Sequence, residues 1–184
     1  MDKKRMEYHV KGLLAAIGEN PNREELKKTP ERVANMLEKV FSCSKKPLKE
    51  IFQITHNLKH DEMVIVKNIP FYSLCEHHLM PFFGKCSIGY IPRNDRIVGI
   101  GKIAELVETM SSRLNIQERL TTEMANMIME ELNPKGVGVM VQARHLCLEM
   151  ISSRHLGTEI KTSAVRGLFK TDIKTREEFL NLIK

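Results

Sequence analysis

The sequence predicts an α+β fold, an antiparallel sheet with two helices on one face, preceded by an N-terminal helical hairpin. Three observations carry that prediction. Apolar residues recur at helical spacing through the first part of the chain, short β-type runs bounded by turn signals lie on both sides of its middle, and two helical patterns stand between those runs almost head to tail. Strand, strand, helix, helix, strand, strand segregates helices from strands, which is the order of an α+β domain.

Taken in order, Met6, Val10, Leu13, Leu14 and Ile17 form one stripe from about Lys3 to Ile17, and Gly18 before Pro21 supplies a stop. Thr29-Pro30-Glu31 reads as an N-cap with proline in the first turn, leading to Val33, Met36, Leu37 and Val40 on one face. The plainest role of this hairpin is packing or assembly. Between Ser42 and His60 the pattern lapses into Lys, Pro and polar residues, so residues 1–60 read as a helical extension with its linker and 61–184 as the main domain. Met63 to Val66, Lys85 to Ile91 and Ile97 to Ile100 are strand-like, with a turn at Pro92-Arg93-Asn94-Asp95. One helix holds Ile103, Leu106, Val107 and Met110, and the next holds Leu120, Met124, Met127, Ile128 and Leu132. Methionines at that spacing fill a core rather than bind a soft metal. Asn133-Pro134-Lys135-Gly136 ends the helix. Val137 to Val141, a stretch through Cys147, and a hairpin partner from Glu159 to Phe169 follow, and Thr175 with Glu178 reads as a capping box for a last helix. The open edges of such a sheet must be covered or paired, which predicts assembly through them.

The length of 184 residues suits one domain with an appendage. A hydrophobic fraction of 42% with 28% charged residues is globular composition and excludes a disordered or collagen-like chain. No apolar stretch approaches the ~20 residues of a membrane helix, and Met1-Asp2-Lys3-Lys4-Arg5 has no apolar segment behind it, so neither a membrane span nor a secretory signal is expected and the protein is placed in the cytoplasm. The net charge of +6 is scattered. With 5% aromatic residues and no tryptophan it argues against nucleic-acid binding and leaves open a basic pocket for a phosphorylated small molecule. The four cysteines, in a cytoplasmic chain, point to metal or core rather than disulfides.

Chemistry concentrates in Ser73-Leu74-Cys75-Glu76-His77-His78 and Arg144-His145-Leu146-Cys147. A Cys-x-x-His pair lets a thiolate and an imidazole converge on one zinc from a tight turn, and a cysteine from a distant strand completes a three-ligand site with one position open. Cys75, His78 and Cys147 are the candidate ligands, leaving His77 and His145 as candidate proton carriers. The alternative is a closed, purely structural site with His145 or His77 as fourth ligand. Cys86 and Cys43 read as core thiols, while His9, His56, His60 and His155 lack metal-type spacing. At Gln117-Glu118-Arg119 a carboxylate could accept two parallel hydrogen bonds from a guanine edge, although the same residues also suit the dipole of a helix start.

Together these residues resemble the GTP cyclohydrolase I family. The likeness runs from Thr29-Pro30-Glu31-Arg32-Val33-Ala34 through Asp61-Glu62-Met63-Val64, Cys75-Glu76-His77-His78, Gly84-Lys85, Tyr90-Ile91-Pro92, Gly99 with Lys102, Gln117-Glu118-Arg119-Leu120-Thr121, His145-Leu146-Cys147 and Thr162-Ser163-Ala164-Val165-Arg166-Gly167-Leu168-Phe169. It implies a tunnelling fold, in which sheets from several subunits close into a barrel, commonly a homodecamer. It also implies zinc-dependent hydrolysis of a guanine-type purine at C8 with loss of formate, followed in the full cycle by closure to dihydroneopterin triphosphate. The family positions assign zinc to Cys75, His78 and Cys147, proton transfer to His77 and His145, the base to Glu118 with Gln117, and the phosphates to Arg32 and Lys102.

The departures from the family pattern fall in the triphosphate subsite. Asn35 stands where a lysine is expected, Gly101 replaces a serine, and Glu105 and Ile151 replace arginines. The sequence therefore predicts a retained C8 hydrolase acting on a substrate with fewer phosphates than GTP. An ordinary GTP cyclohydrolase I, in which Arg144 or Arg154 rebuilds the phosphate site, and a non-catalytic purine-binding paralogue are the alternatives.

Overall fold

Asp2 opens the first helix by accepting a 3.0 Å hydrogen bond from the backbone N–H of Arg5. In this computed structural model, which describes residues 1–45, 47–52, 54–55 and 59–184, two units divide after Ser42. The first unit holds α1 (Lys3–Ala16) and α2 (Thr29–Val40), the helices read from the periodicity. Thr29 is not the cap of α2. Lys28 holds that position without a side-chain bond, and Pro30 takes the first turn, where its missing N–H costs nothing.

The second unit runs α3 (Leu48–Ile51), β1 (Ile54–Thr55), β2 (Val64–Cys75), β3 (Pro81–Ile91), β4 (Ile97–Val98), α4 (Ile100–Ser111), β5 (Leu114–Asn115), α5 (Gln117–Leu132), β6 (Gly136–His145), α6 (Leu146–Glu149), β7 (Glu159–Gly167), α7 (Leu168–Thr171) and α8 (Ile173–Leu182). The boundary thus falls at the start of the stretch read as linker, and α3 within that stretch buries Ile51 in the second unit's core. The main sheet has the order β5-β2-β3-β6-β7, antiparallel throughout except for the short parallel β2–β5 pair. This is the expected α+β architecture. The outer edge of β7 has no strand partner among the described residues.

β2 runs on past Val66 to Cys75 through a bulge at which Asn68 takes φ +60°. Pro70 is tolerated because β5 covers only Leu74 and Cys75, so among the described residues this side of β2 is an open edge at the proline. β4 stops at Val98 and pairs with β1 in a separate two-stranded sheet, because Ile100 already belongs to α4. Asn133 ends α5 in the left-handed region at φ +48°.

On one face, Ile103, Leu106, Val107 and Met110 of α4 and Leu120, Met124, Ile128 and Leu132 of α5 form one buried cluster with Phe82, Cys86, Ile88, Val139 and Val141 of the sheet. Met124 and Cys86 are core residues, as their spacing suggested, and burial pushes the Cys86 thiol up to about 12. The other face is covered at one end by the C-terminal segment. Phe169 and Phe179 meet edge to face at 5.4 Å above Gly138, where a Cβ would come within 2.8 Å of both rings. The capping box at Thr175 does not form. Helix α8 starts earlier, with Asp172 as its cap, and Asp172 Oδ2 accepts from the Thr175 N–H at 3.0 Å.

Candidate active site

The end of β2 and the start of β3 build the first half of the site. Cys75 is the last residue of β2, and the turn beyond it closes through Leu79 N–H to Cys75 O at 2.8 Å and Cys75 N–H to Met80 O at 2.9 Å. Leu79 takes φ +54° in that turn. A second anchor comes from α5. Arg119 Nη1 donates to Glu76 Oε1 at 3.2 Å, and the guanidinium holds the Glu76 carboxyl below the usual carboxylate range. The turn therefore has a fixed shape, and it brings His78 Nδ1 to 3.7 Å from Cys75 Sγ.

The second half comes from β6. Phe82 of β3 pairs with His145, the last residue of β6, so the chain emerging into α6 lies beside the Cys75 turn. Cys147 is delivered there two residues later, and the ligand atoms of Cys75, His78 and Cys147 all lie within 4.8 Å of one another. Zinc bonds of about 2.3 Å to sulfur and about 2.1 Å to nitrogen at a tetrahedral angle require a sulfur–nitrogen separation of roughly 3.6 Å, and the observed 3.7 Å fits. Charge agrees with geometry. Burial and the neighbouring Cys75 both push the Cys147 thiol up, so a thiolate here would need a bound cation to hold it. The three residues can hold zinc, and no fourth His, Cys, Asp or Glu joins the group among the described residues.

The two remaining histidines differ in setting. His77 is exposed, with its ring perpendicular to that of His78 at 6.1 Å. His145 is half-buried and stacked on Phe82 at 4.7 Å, and its Nε2 lies 2.7 Å from Gln117 Oε1. Burial pushes the His145 imidazole down, and the Glu118 carboxylate acts the other way. Glu118 itself is exposed at the start of α5, available to a ligand.

Gln117 is placed otherwise than the sequence suggests. The sequence reading gives it to the substrate, yet its side chain is buried at 1% exposure, and its amide donates to Val141 O at 3.1 Å, Ile160 O at 3.0 Å and Thr162 Oγ1 at 3.1 Å. The phosphate candidates also carry partners. Lys102 Nζ donates to Glu105 Oε2 at 2.9 Å, and Arg144 makes a two-pronged pair with the buried Glu149 at 2.8 and 2.6 Å while its guanidinium lies 5.8 Å above the Phe83 ring. Arg154 and Ile151 are exposed, as is Arg32 on α2 in the first unit. His56 lies outside the described residues. Sequence reasoning missed Phe82, the Arg119–Glu76 anchor and the Arg144–Glu149 pair. Arg119, Glu76 and Arg144 stood inside the singled-out motifs, while Phe82 and Glu149 gave no signal.

The family model described as GTP cyclohydrolase I matches residues 6–184. GTP cyclohydrolase 1 of Caldanaerobacter subterraneus subsp. tengcongensis is 46% identical over 183 residues, covering 100% of this chain and 97% of that protein. The Clostridioides difficile protein of the same name is 47% identical over 184 residues with the same coverage, and that of Geobacillus sp. (strain WCH70) is 49% identical over 179 residues, covering 97% of this chain and 95% of its own. Among solved structures, the apo form of the archaeosine synthase QueF-Like aligns with a TM-score of 0.46 and 22% identity over 57% of this chain and 93% of its own. With the family model spanning nearly the whole chain and relatives near half identity end to end, the chain belongs to the GTP cyclohydrolase I family.

Proposed function

We propose that this chain is a zinc-dependent hydrolase that opens the imidazole ring of a guanine nucleotide at C8 and releases formate, as an ordinary GTP cyclohydrolase I acting on GTP to give 7,8-dihydroneopterin triphosphate. The observation that carries the reading is the convergence of Cys75, His78 and Cys147 with His77 and His145 close by in the chain and His145 fixed against Phe82. The relatives near half identity, all named GTP cyclohydrolase 1, support GTP as the substrate. Zinc held by the three ligands would supply Lewis acidity and water acidified to near neutrality. The chain's own residues do the rest. His77 and His145 move protons to and from the purine, Glu118 accepts the N1–H and amino hydrogens of guanine in two parallel bonds, and Lys102 serves the phosphates. The unpaired edge of β7 supports a ring-shaped homo-oligomer such as a homodecamer, and the scattered charge and low aromatic content support a small-molecule partner in the cytoplasm rather than nucleic acid or membrane. No helix among the described residues is long and apolar enough to cross a membrane.

One observation favours a second reading, in which the substrate has fewer phosphates. Lys102 is neutralised by Glu105, and Ile151 adds no charge. The test is formate release by the zinc-loaded protein from GTP, GMP, guanosine and guanine. Preference for GTP supports the first reading, preference for guanosine or GMP the second, and no formate from any of them would leave a non-catalytic purine binder. His77→Ala and His145→Ala should each keep the zinc yet lose about a hundredfold to ten-thousandfold in turnover.

A further inference from the structure

His145 can work as a proton carrier through only one of its ring nitrogens at a time, and its surroundings decide which. The decision starts at Gln117, whose carboxamide lies across β6 and β7. Its nitrogen faces the backbone carbonyls of Val141 and Ile160, at 3.1 and 3.0 Å, and a carbonyl can only accept. The third neighbour, Thr162 Oγ1 at 3.1 Å, cannot reverse this. Thr121 Oγ1 donates its proton to the backbone carbonyl of Gln117 at 2.7 Å, so in the 2.6 Å contact between the two threonines Thr162 must be the donor. With its proton spent, Thr162 offers Gln117 lone pairs alone. A flipped carboxamide would set its oxygen against three acceptors inside a buried site, so the nitrogen faces the strands and Oε1 faces the histidine.

Gln117 Oε1 lies 2.7 Å from His145 Nε2, a distance that requires a proton between them, and the oxygen has none to give. Phe82, stacked on the imidazole at 4.7 Å and within 6° of parallel, holds the plane of the ring in which Nε2 meets Gln117. We propose that Gln117 is a positioning residue that fixes the tautomer of His145, so that Nε2 always carries a proton and Nδ1 is the atom through which His145 exchanges protons during purine ring opening. The proposal rests on the reading of His145 as a proton carrier. In the step it describes, neutral His145 takes one proton onto the Nδ1 lone pair and becomes an imidazolium with both nitrogens protonated. It then returns that same Nδ1 proton, and the Nε2 proton stays on His145, hydrogen-bonded to Gln117 Oε1 throughout. Thr121 and Thr162 belong to the same device, because their order of donation locks the carboxamide.

The test is magic-angle-spinning NMR of the zinc-loaded protein labelled with ¹³C and ¹⁵N at histidine, with the His145 signals identified by their loss in His145→Asn. The expected result is a neutral ring with a pyridine-type Nδ1 and a protonated Nε2, and a neutral Nδ1–H tautomer would overturn the proposal. Kinetics give an independent arm. Gln117→Leu should lower kcat for formate release by tenfold or more with KM little changed, and Gln117→Glu, which as a neutral acid can donate to the strands and accept from Nε2, should recover part of the loss. A raised KM at unchanged kcat in both variants would make Gln117 a substrate contact and overturn the proposal. Undiminished turnover in His145→Asn would overturn the catalytic reading itself, an outcome distinct from an Nδ1–H tautomer in an enzyme that needs His145.

Discussion

Glu105→Gln should raise kcat/KM for GTP while leaving guanosine unchanged. The substitution keeps the size of the side chain and removes its charge. Lys102 and Glu105 lie one turn apart on α4 with 2.9 Å between Nζ and Oε2, and their side chains are 30% and 28% exposed. A pair so exposed contributes about 0–1 kcal/mol to the fold, so its loss is tolerated. The freed ammonium gains more than it gives up, since a charge-assisted hydrogen bond to a phosphate oxygen contributes about 1.5–3 kcal/mol. At about 1.4 kcal/mol per factor of ten, the expected rise is roughly ten- to a hundredfold. Guanosine has no phosphate to profit from the change. The assay is the initial rate of formate release over a range of each substrate, for wild type and variant side by side. An unchanged value for GTP, or an equal change for both substrates, would refute the assignment of Lys102 to the phosphates.

Further predictions concern the scaffold and the thiols. Phe179→Ala should destabilise the second unit by about 3–5 kcal/mol and lower Tm by about 10 °C in a thermal scan, because the ring is 1% exposed and fills the space over Gly89 and Gly138. An unchanged Tm would mean that the C-terminal segment does not cover the sheet. With iodoacetamide, Cys86 should stay unmodified until the protein unfolds, since burial keeps its thiol protonated, whereas Cys75 and Cys147 should gain reactivity when zinc is removed with a chelator. Peptide mapping by mass spectrometry reads both outcomes, and thiols equally reactive with and without metal would contradict the ligand assignment. Asp172→Ala should lower Tm at neutral pH. Hydrogen bonds from Thr175 hold the Asp172 carboxyl below its ordinary value of 3.8, so its contribution is present above that value and is lost as pH falls through the lower folded value. The Tm difference should therefore shrink in acid, and a difference that grows instead would refute the cap.

The nearness of Cys75 to His78 was legible because their spacing is local. Cys75 ends a strand and His78 follows in the turn beyond it, whereas the Phe82↔His145 pairing that brings Cys147 alongside joins distant strands and had no local signal. Strand β2 was only half legible, since Lys67, Asn68 and Pro70 break the alternation through a bulge and an edge proline that neighbouring strands, not local sequence, make permissible. Gln117 shows the limit more sharply. Its helix-start position suits a substrate contact, and what redirects it is a set of carbonyl and hydroxyl groups on β6 and β7, each more than twenty residues away. The partnering of Lys102 with Glu105 was within reach as an i, i+3 pair on a helix, yet reading the two positions against a family pattern counted Lys102 as retained and Glu105 as a separate loss.

Cys75, His78 and Cys147 are proposed to hold a zinc ion at which a guanine ring is opened. Protein freed of metal by a chelator and titrated with zinc while formate release from GTP and guanosine is followed tests it most directly. The account predicts no formate from the metal-free protein and release that rises with zinc and saturates at about one ion per subunit, as an open three-ligand site requires. Formate release indifferent to zinc, or none from any guanine compound at full occupancy, would contradict it.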